Sequence, residues 1–468
     1  MRAWTASWPR NAHADQPAAA YTYTVSKTAA NAVATKALQY DGSYASTYEL
    51  LDGLLRPRET QAPALGTKDR LVTETLYDTR GNAWKTYDSY YAEGAPSAVL
   101  TSAPDNKVPS MTENVHDGMS RVTAAISRTY GDETWRTRTE YAGDRTTVIP
   151  PAGGTATTTV TDALRRTSEL LEYTDTARTA SQKTAYTYGK YNEPVKVTDP
   201  AGNAWTYTFD ALGQQVRADD PDKGVTATTY DKLGRATTVT DARGITLTTT
   251  YDELGRETAV KKGSTTLTAH TYDTVAKGQP ATSTRYVDGA EYTSAVTAYN
   301  DAYQPTASSV TIPSGAGSTA GSTAAGTYDW TFGYNKYTGQ QEWLKQPAVG
   351  NLPSERVTTV YGPGNLPLKS TAGAVILVGN SVYDVWSRPT RTEYGTLGKK
   401  VYRSRAYDLQ TGRLTRQTTD RDLAPQRIDD STWSYDDAGN ITGLTTASGQ
   451  DAAAPWTPSA SPRTPSAA

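Results

Sequence analysis

The chain has 468 residues, with 47 Lys plus Arg against 49 Asp plus Glu and a formal charge of −2. That length suits three or four ordinary domains or one large repeat array, and so even a charge balance argues against a polyanion-binding surface and a nucleic-acid partner. Cysteine is absent and the three histidines, His13, His116 and His270, stand apart, which excludes disulfides, thiolate metal sites and a Cys nucleophile and leaves no clustered His ligands. No apolar run approaches the ~18 residues of a membrane-spanning helix, and the opening MRAWTASWPRNAHADQ lacks the apolar stretch of a signal peptide. Thr makes up about one residue in six and Tyr numbers 32, against 2 Phe and 3 Met. Thr and Tyr favour strands. Only 36% of residues are hydrophobic, below the usual ~45–50%, so thin, partly hydrated sheets are expected rather than a thick core.

In chain order, residues 1–20 read as a loose lead-in carrying Trp4 and Trp8. The Ala-rich stretch 28–38 has helix propensity but strand-like flanks. Residues 21–180 hold degenerate copies of one unit: LDGLLRP from Leu51, YDTRGN from Tyr77, HDGMSR from His116 and TDALRR from Thr161. A Pro/Ser-containing loop is expected over 102–112.

Residues 181–280 repeat most regularly. FDALGQ (209–214), YDKLGR (230–235) and YDELGR (251–256) begin 21 residues apart, and the same register reaches Tyr188 and Tyr272. Residues 281–444 return to looser copies, from Tyr299, Tyr334, Tyr361, Tyr383, Tyr407 and Tyr435. A Gly/Ser-rich loop falls at 314–327. The aliphatic run AVILV (374–378) reads as a strand buried on both faces. The stretch 445–468 is Ala/Pro/Ser/Thr-rich and reads as disordered.

The unit predicts a hairpin. Asp252 opens a four-residue turn and Gly255 closes it in the left-handed region, flanked by strands 247–251 and 256–260. A second turn with the same Asp-x-x-Gly logic links units at Asp199 and Asp241. The result is a continuous antiparallel meander. Phe209, Tyr230 and Tyr251 then form one ladder across the sheet, and Leu212, Leu233 and Leu254 a second row at the turns. Asp210, Asp231 and Asp252, with Gly213, Gly234 and Gly255 and with Arg235 and Arg256, complete the repeat. Where Leu55, Ser120, Arg165, Tyr303 or Ser387 takes the Gly place, a left-handed conformation costs ~1–2 kcal/mol, so another turn type is expected there.

These motifs resemble the YD repeats of Rhs-type proteins, a group that includes bacterial wall-associated proteins, insecticidal toxin-complex subunits and teneurins. The resemblance spans roughly Tyr40 to Leu444. YELLDGLLRPRETQ (48–61) and DRTTVIPPAGGTATTTVTDALRRTSEL (144–170) also resemble stretches of secreted YD-repeat proteins. It implies an all-β fold, an antiparallel hairpin meander curling into a partial hollow β-shell around a C-terminal toxin or other cargo. No segment matches the Asp-Pro-rich Rhs core with its autoprotease aspartates, so no protease residue is carried over, and the chain reads as a fragment or a truncated gene.

A residue repeated some fifteen times belongs to a scaffold, whereas a catalytic dyad occurs once. No catalytic, cofactor or metal residue is therefore assigned. Asp219 to Gly224 is similar to a Ca²⁺ loop but lacks the spaced ligands and terminal Glu; a linking turn explains it. His116 replaces the motif Tyr. Trp205, Trp330, Trp386 and Trp433 lie in or beside repeat strands and turns, where packing is the default. The expected role is a non-enzymatic shell segment of a secreted or surface-displayed bacterial toxin, its partner the cargo domain. The rivals are a surface adhesin that stacks glycans on exposed Trp and Tyr, and a β-propeller enzyme, because two 21-residue hairpins make one four-stranded blade of ~42 residues.

Overall fold

The computed structural model describes residues 3–6, 16–314 and 324–448. His13, Trp8, most of the Gly/Ser-rich loop and residues 449–468 lie outside them. The described residues form 35 strands, β1 (Ala3–Ala6) to β35 (Ile441–Ser448), in one sheet. Every strand pairs antiparallel with the next, as in β18 (Gly224–Tyr230) with β19 (Ala236–Thr240), and β20 (Thr246–Tyr251) with β21 (Glu257–Lys262). Two short 3₁₀ turns, Asp105–Lys107 and Pro363–Asn365, are the only helical elements among the described residues. A single continuous sheet is not a propeller, which needs separate blades.

The sheet stays open at β1 and β35, but its ribbon winds round until its two rims touch. The turn after β26 (Gly326–Tyr334) meets the turn after β3 (Asn31–Leu38), through Asn335 Nδ2 and the Tyr40 carbonyl at 3.0 Å. The turn after β32 (Val401–Tyr407) meets β9 (Val122–Thr129) and β10 (Asp132–Ala142), where Gln410 Nε2 donates to Ser127 Oγ at 3.1 Å and Thr134 Oγ1 at 2.8 Å. The turn after β34 (Arg427–Tyr435) meets the turn after β11 (Arg145–Ile149), where Asn440 Nδ2 donates to the Gly153 carbonyl at 3.1 Å. The offset is 23 strands each time. Strands lie ~4.8 Å apart, so one winding is about 110 Å around and about 35 Å across. Facing sheets in contact stand only ~10 Å apart, so side chains cannot fill that span. The protein is a single-layer wall of about one and a half windings, a partial hollow β-shell.

Because the wall is one sheet thick, its core is small. Val72, Tyr87, Tyr90, Val108 and Met111 form the buried apolar cluster. The stretch 102–112 is more than a loop: it lays Val108 and Met111 under β6 (Arg70–Tyr77) and β7 (Ala83–Ala92), and Lys85 Nζ ties it down through Asp105 at 2.6 Å. Polar groups are buried beside it. Glu59 accepts from Gln61 Nε2 at 2.5 Å and from the Thr101 amide, and Tyr90 donates to Glu74 at 2.6 Å. Burial pushes the Glu59 carboxyl up and, with the Glu74 bond, the Tyr90 phenol up.

Four expectations need correction. The run 374–378 is not buried on both faces: Val375 and Leu377 are 53% and 40% exposed, because a one-layer wall has a solvated side. Leu55, Ser120, Arg165, Tyr303 and Ser387 do not adopt another turn. Each keeps the left-handed conformation, with φ from 59° to 69°, and each donates its N–H to the carbonyl of the turn's first residue. Neighbouring units fix the turn's ends, and that constraint outweighs the local strain. The lead-in contains a strand, β1, paired with β2 (Ala19–Thr24), and residues 445–448 belong to β35 rather than to a tail, because both add ladder bonds at the ends of the sheet.

Candidate functional site

The repeated hairpin is built from its Asp. Asp231 Oδ1 accepts the Leu233 and Arg235 amides at 2.9 and 3.0 Å, and Oδ2 accepts Arg235 Nε at 2.7 Å. The Asp231 amide donates to the Arg235 carbonyl, and Gly234 donates to the Asp231 carbonyl. Gly234 sits at φ 80° and Gly255 at φ 82°, which L side chains avoid. Each hairpin carries a bulge at its aromatic, at Tyr230 opposite Ala236 and Tyr251 opposite Glu257.

The bulge aims the aromatic at the preceding unit. Tyr230 Oη donates to the Gln215 carbonyl, Tyr251 to Ala236 and Tyr272 to Glu257, at 2.8–2.9 Å. The repeat Arg fills the gap between units. Arg235 lies over the Tyr251 ring at 4.8 Å, and Arg256 over Tyr272 at 4.3 Å. The same stack recurs at Arg56 on Tyr77, Arg121 on Tyr141, Arg166 on Tyr188, Arg388 on Tyr407 and Arg413 on Tyr435. From Tyr230 onward the ladder expected of Phe209, Tyr230 and Tyr251 is therefore alternately Tyr and Arg, with Arg235 and Arg256 each held by the Asp of its own turn. The sequence showed Arg at this place but not its role. The signal was its recurrence one residue after the turn-closing position. Asp210 and Gly213 form the same turn, but Gln214 replaces the Arg, so no ion pair forms.

Backbone amides and Arg guanidiniums hold the Asp162, Asp231 and Asp252 carboxylates below the usual range. For Asp231 the Arg235 amide leads, then its guanidinium; for Asp162 the Arg166 guanidinium leads; for Asp252 burial opposes the shift but is outweighed by Arg256. Asp273, bonded chiefly by Arg256, is brought down to about 2. The unfolded chain therefore binds protons more tightly than the folded one. The stability these groups contribute is complete above the unfolded carboxylate value of ~3.9 and is lost as pH falls from there toward ~2. Denaturant midpoints should be flat from neutral pH to about 5 and fall steeply below 4. A midpoint that holds or rises between pH 4 and 2 would contradict the turn assignment. Asp231→Ala should lower the melting temperature by a few degrees, with Asp231→Asn, which keeps the acceptor but loses the charge, in between. Unchanged melting in both would sink the role given to this Asp.

Asp220 Oδ1 accepts the Asp222 and Lys223 amides at 2.8 and 3.1 Å, so this carboxylate caps its own turn. Among the described residues no three His, Asp or Glu side chains are grouped to hold a metal, and no helix is long and apolar enough to cross a membrane. His116 occupies the Tyr place at the bulge opposite Val122. A groove of about 290 Å³ is lined by Tyr40, Glu342, Trp343, Arg356 and Tyr361. Arg356 lies over Trp343 at 4.1 Å and covers one face of that ring.

The residues that close the wall were missed by sequence reasoning. Trp386 Nε1 donates to the Ser89 carbonyl at 3.2 Å, and Leu65 donates its amide to the Val385 carbonyl. Asn365 Oδ1 accepts the Tyr40 amide at 2.8 Å. Their signal was the change at the motif Leu, which becomes Trp386 in YDVWSR and Ala438 in YDDAGN.

The RHS Repeat family matches residues 190–225 and 230–267. These segments are RHS repeats. No curated protein gave a sequence match. Solved structures do share the fold. A crystal structure of TcdB2-TccC3 matches with a TM-score of 0.74 at 16% identity over 92% of this chain and 24% of that one. TcdB2-TccC3-Cdc42 matches with a TM-score of 0.72 and a Photorhabdus luminescens Tc holotoxin pore with 0.71, each at 16% identity over 89% of this chain and 23% of theirs. This chain thus spans about a quarter of the length of these structures.

Proposed function

We propose that this RHS-repeat chain is a non-catalytic wall segment of a secreted bacterial toxin shell, and that the wall encloses and delivers a toxin or other cargo domain. The observation that carries this reading is the closed single-layer winding, about 35 Å across by strand spacing and too wide for its own side chains to fill. The likeness in fold to TcdB2-TccC3 and to a Tc holotoxin pore supports it. A wall one sheet thick has little reason to exist as a core, since most of its side chains stay at least partly exposed; its use is the space it bounds. Repeat Asp, Tyr, Gly and Arg act here as masonry: the turn sets the strand ends and the Tyr–Arg ladder fixes the curvature between hairpins.

The test uses the natural gene product that contains this segment. Under limited proteolysis, a domain carried by that product should survive while the wall is folded, and be degraded once acid opens the turns. Cleavage of such a domain at one rate whether or not the wall is intact would overturn containment.

A further inference from the structure

Hairpin turns alternate between the two rims of the ribbon. One rim carries the YD turns, such as 231–234 and 252–255; the other carries the linking turns, such as 199–202 and 241–244. The closing contacts always join unlike rims. The YD turns at Asn335, Val385, Gln410 and Ala438 rest on linking turns or adjacent strand ends at Tyr40, Leu65, Ser127 and Ala152. The offsets, 25 strands at Val385 and 23 at the others, are odd numbers, as such a pairing requires.

Each rim therefore has a closed stretch and an open one. In the closed stretch the YD turn that meets Leu65 and Ser89 is covered: Val385 is 8% exposed, and Trp386 is half-buried with its indole N–H bonded, while Leu409 and Ala438 in neighbouring turns stay exposed. In the open stretch the places equivalent to Trp386 hold Leu212, Leu233 and Leu254, which are 82%, 74% and 75% exposed. Leu54, Met119 and Leu164 continue that row, all strongly exposed. Apolar side chains aligned along one rim and unpaired in water mark a contact surface. The linking turns from residue 199 onward lie on the opposite rim, and no hydrogen bond ties them to another winding among the described residues.

We propose that the open YD rim, centred on Leu212, Leu233 and Leu254, docks onto the open linking rim of a second copy of this chain, continuing between molecules the seam that already closes each one. The occupant follows from the seam. The rim that fits a YD turn is on view within the chain: a linking turn and the strand beside it, whose carbonyls accept donors from the turn above at Tyr40, Ser89, Ala152 and Gly153 and whose amides donate to it at Tyr40 and Leu65. Every copy offers the same kind of rim at 199–202, 220–224 and 241–244. Because the two rims differ, the contact is head-to-tail, and its product is an open stack rather than a closed dimer. This inference rests on the winding and not on the containment role.

Sedimentation velocity on the purified chain tests it. The mass should rise with concentration above the 50.4 kDa of one chain and pass beyond two copies without a plateau. The combined variant Leu212→Asp, Leu233→Asp, Leu254→Asp should stay at one copy with unchanged melting, since these side chains make no core. Ala201→Lys with Ala242→Lys on the linking rim should do the same. Mixed, the two variants each keep one good rim and should form a complex that stops at two copies. Leu377→Asp, on a strand rather than a rim, should leave the stacking intact. A wild-type chain that stays at one copy throughout, or an association that persists in both rim variants, would overturn the proposal. Neither result would touch containment, which the protease experiment reads separately.

Discussion

Replacing Leu55, Ser120, Arg165 and Ser387 together with glycine should stabilise the chain by about 2–4 kcal/mol. Glycine normally weakens a fold, because it is freer when unfolded by about 0.5–1 kcal/mol. Here the opposite term is larger. All four residues sit at φ 62–69° with the turn bonds of a glycine unit intact, and a side chain there costs about 1–2 kcal/mol. The net gain is about 0.5–1 kcal/mol per site, and sites this far apart add. The four single variants and the combined one, compared by chemical denaturation, check this. A combined variant less stable than the parent would mean that these side chains earn their place in contacts that outweigh the strain.

The reverse substitution should be costly. Gly234→Val and Gly255→Val place a β-branched side chain at φ 80° and 82°, a conformation that costs up to about 3 kcal/mol for residues other than glycine and most for this class. At Gly234 a Cβ would stand 2.9 Å from Gln214 Nε2, the free end of a side chain that can swing aside, so the cost is set by the backbone conformation. Together the two should cost about 4–6 kcal/mol. The damage should not stay local. In a ribbon each hairpin holds its neighbours, so two adjacent faulty units cut the array in the middle. Melting should become broad or split as the halves separate. Gly234→Asn with Gly255→Asn is the control, since Asn tolerates the left-handed region, and it should melt close to the parent. Equal melting for the Val and Asn pairs would remove the left-handed turn from the account.

What the sequence made legible was local. The 21-residue spacing placed the hairpin around Asp252 and Gly255 within a residue or two of β20 and β21, because Asp capping and glycine φ are decided within five residues. It placed the aromatic row for the same reason. It misjudged Leu55 and its equivalents because propensity is a local scale, while the turn is held from both flanks by strands already paired. The run 374–378 misled because burial depends on how many layers the wall has, and aliphatic character alone does not say. The partners of Trp386, Asn335 and Gln410 lie some 276 to 297 residues away, a separation that only the completed winding sets. Arg235 and Arg256 were visible in the motif, yet their stacking on Tyr251 and Tyr272 needs the bulge that turns each ring toward the preceding hairpin.

Spin-label distances read out whether this wall bounds an open space about 35 Å across. The chain has no cysteine, so Met119→Cys with Leu254→Cys supplies the only two thiols. Both sites are exposed, on the same rim, in turns 12 strands apart, which is half a winding. A second pair, Ser43→Cys with Lys336→Cys, straddles the seam. The account predicts about 35 Å across the ring with a short distance at the seam. An unrolled ribbon would put the first pair about 58 Å apart and separate the seam, and a collapsed two-layer sandwich would bring the first pair to about 10 Å. Either result would contradict the hollow wall.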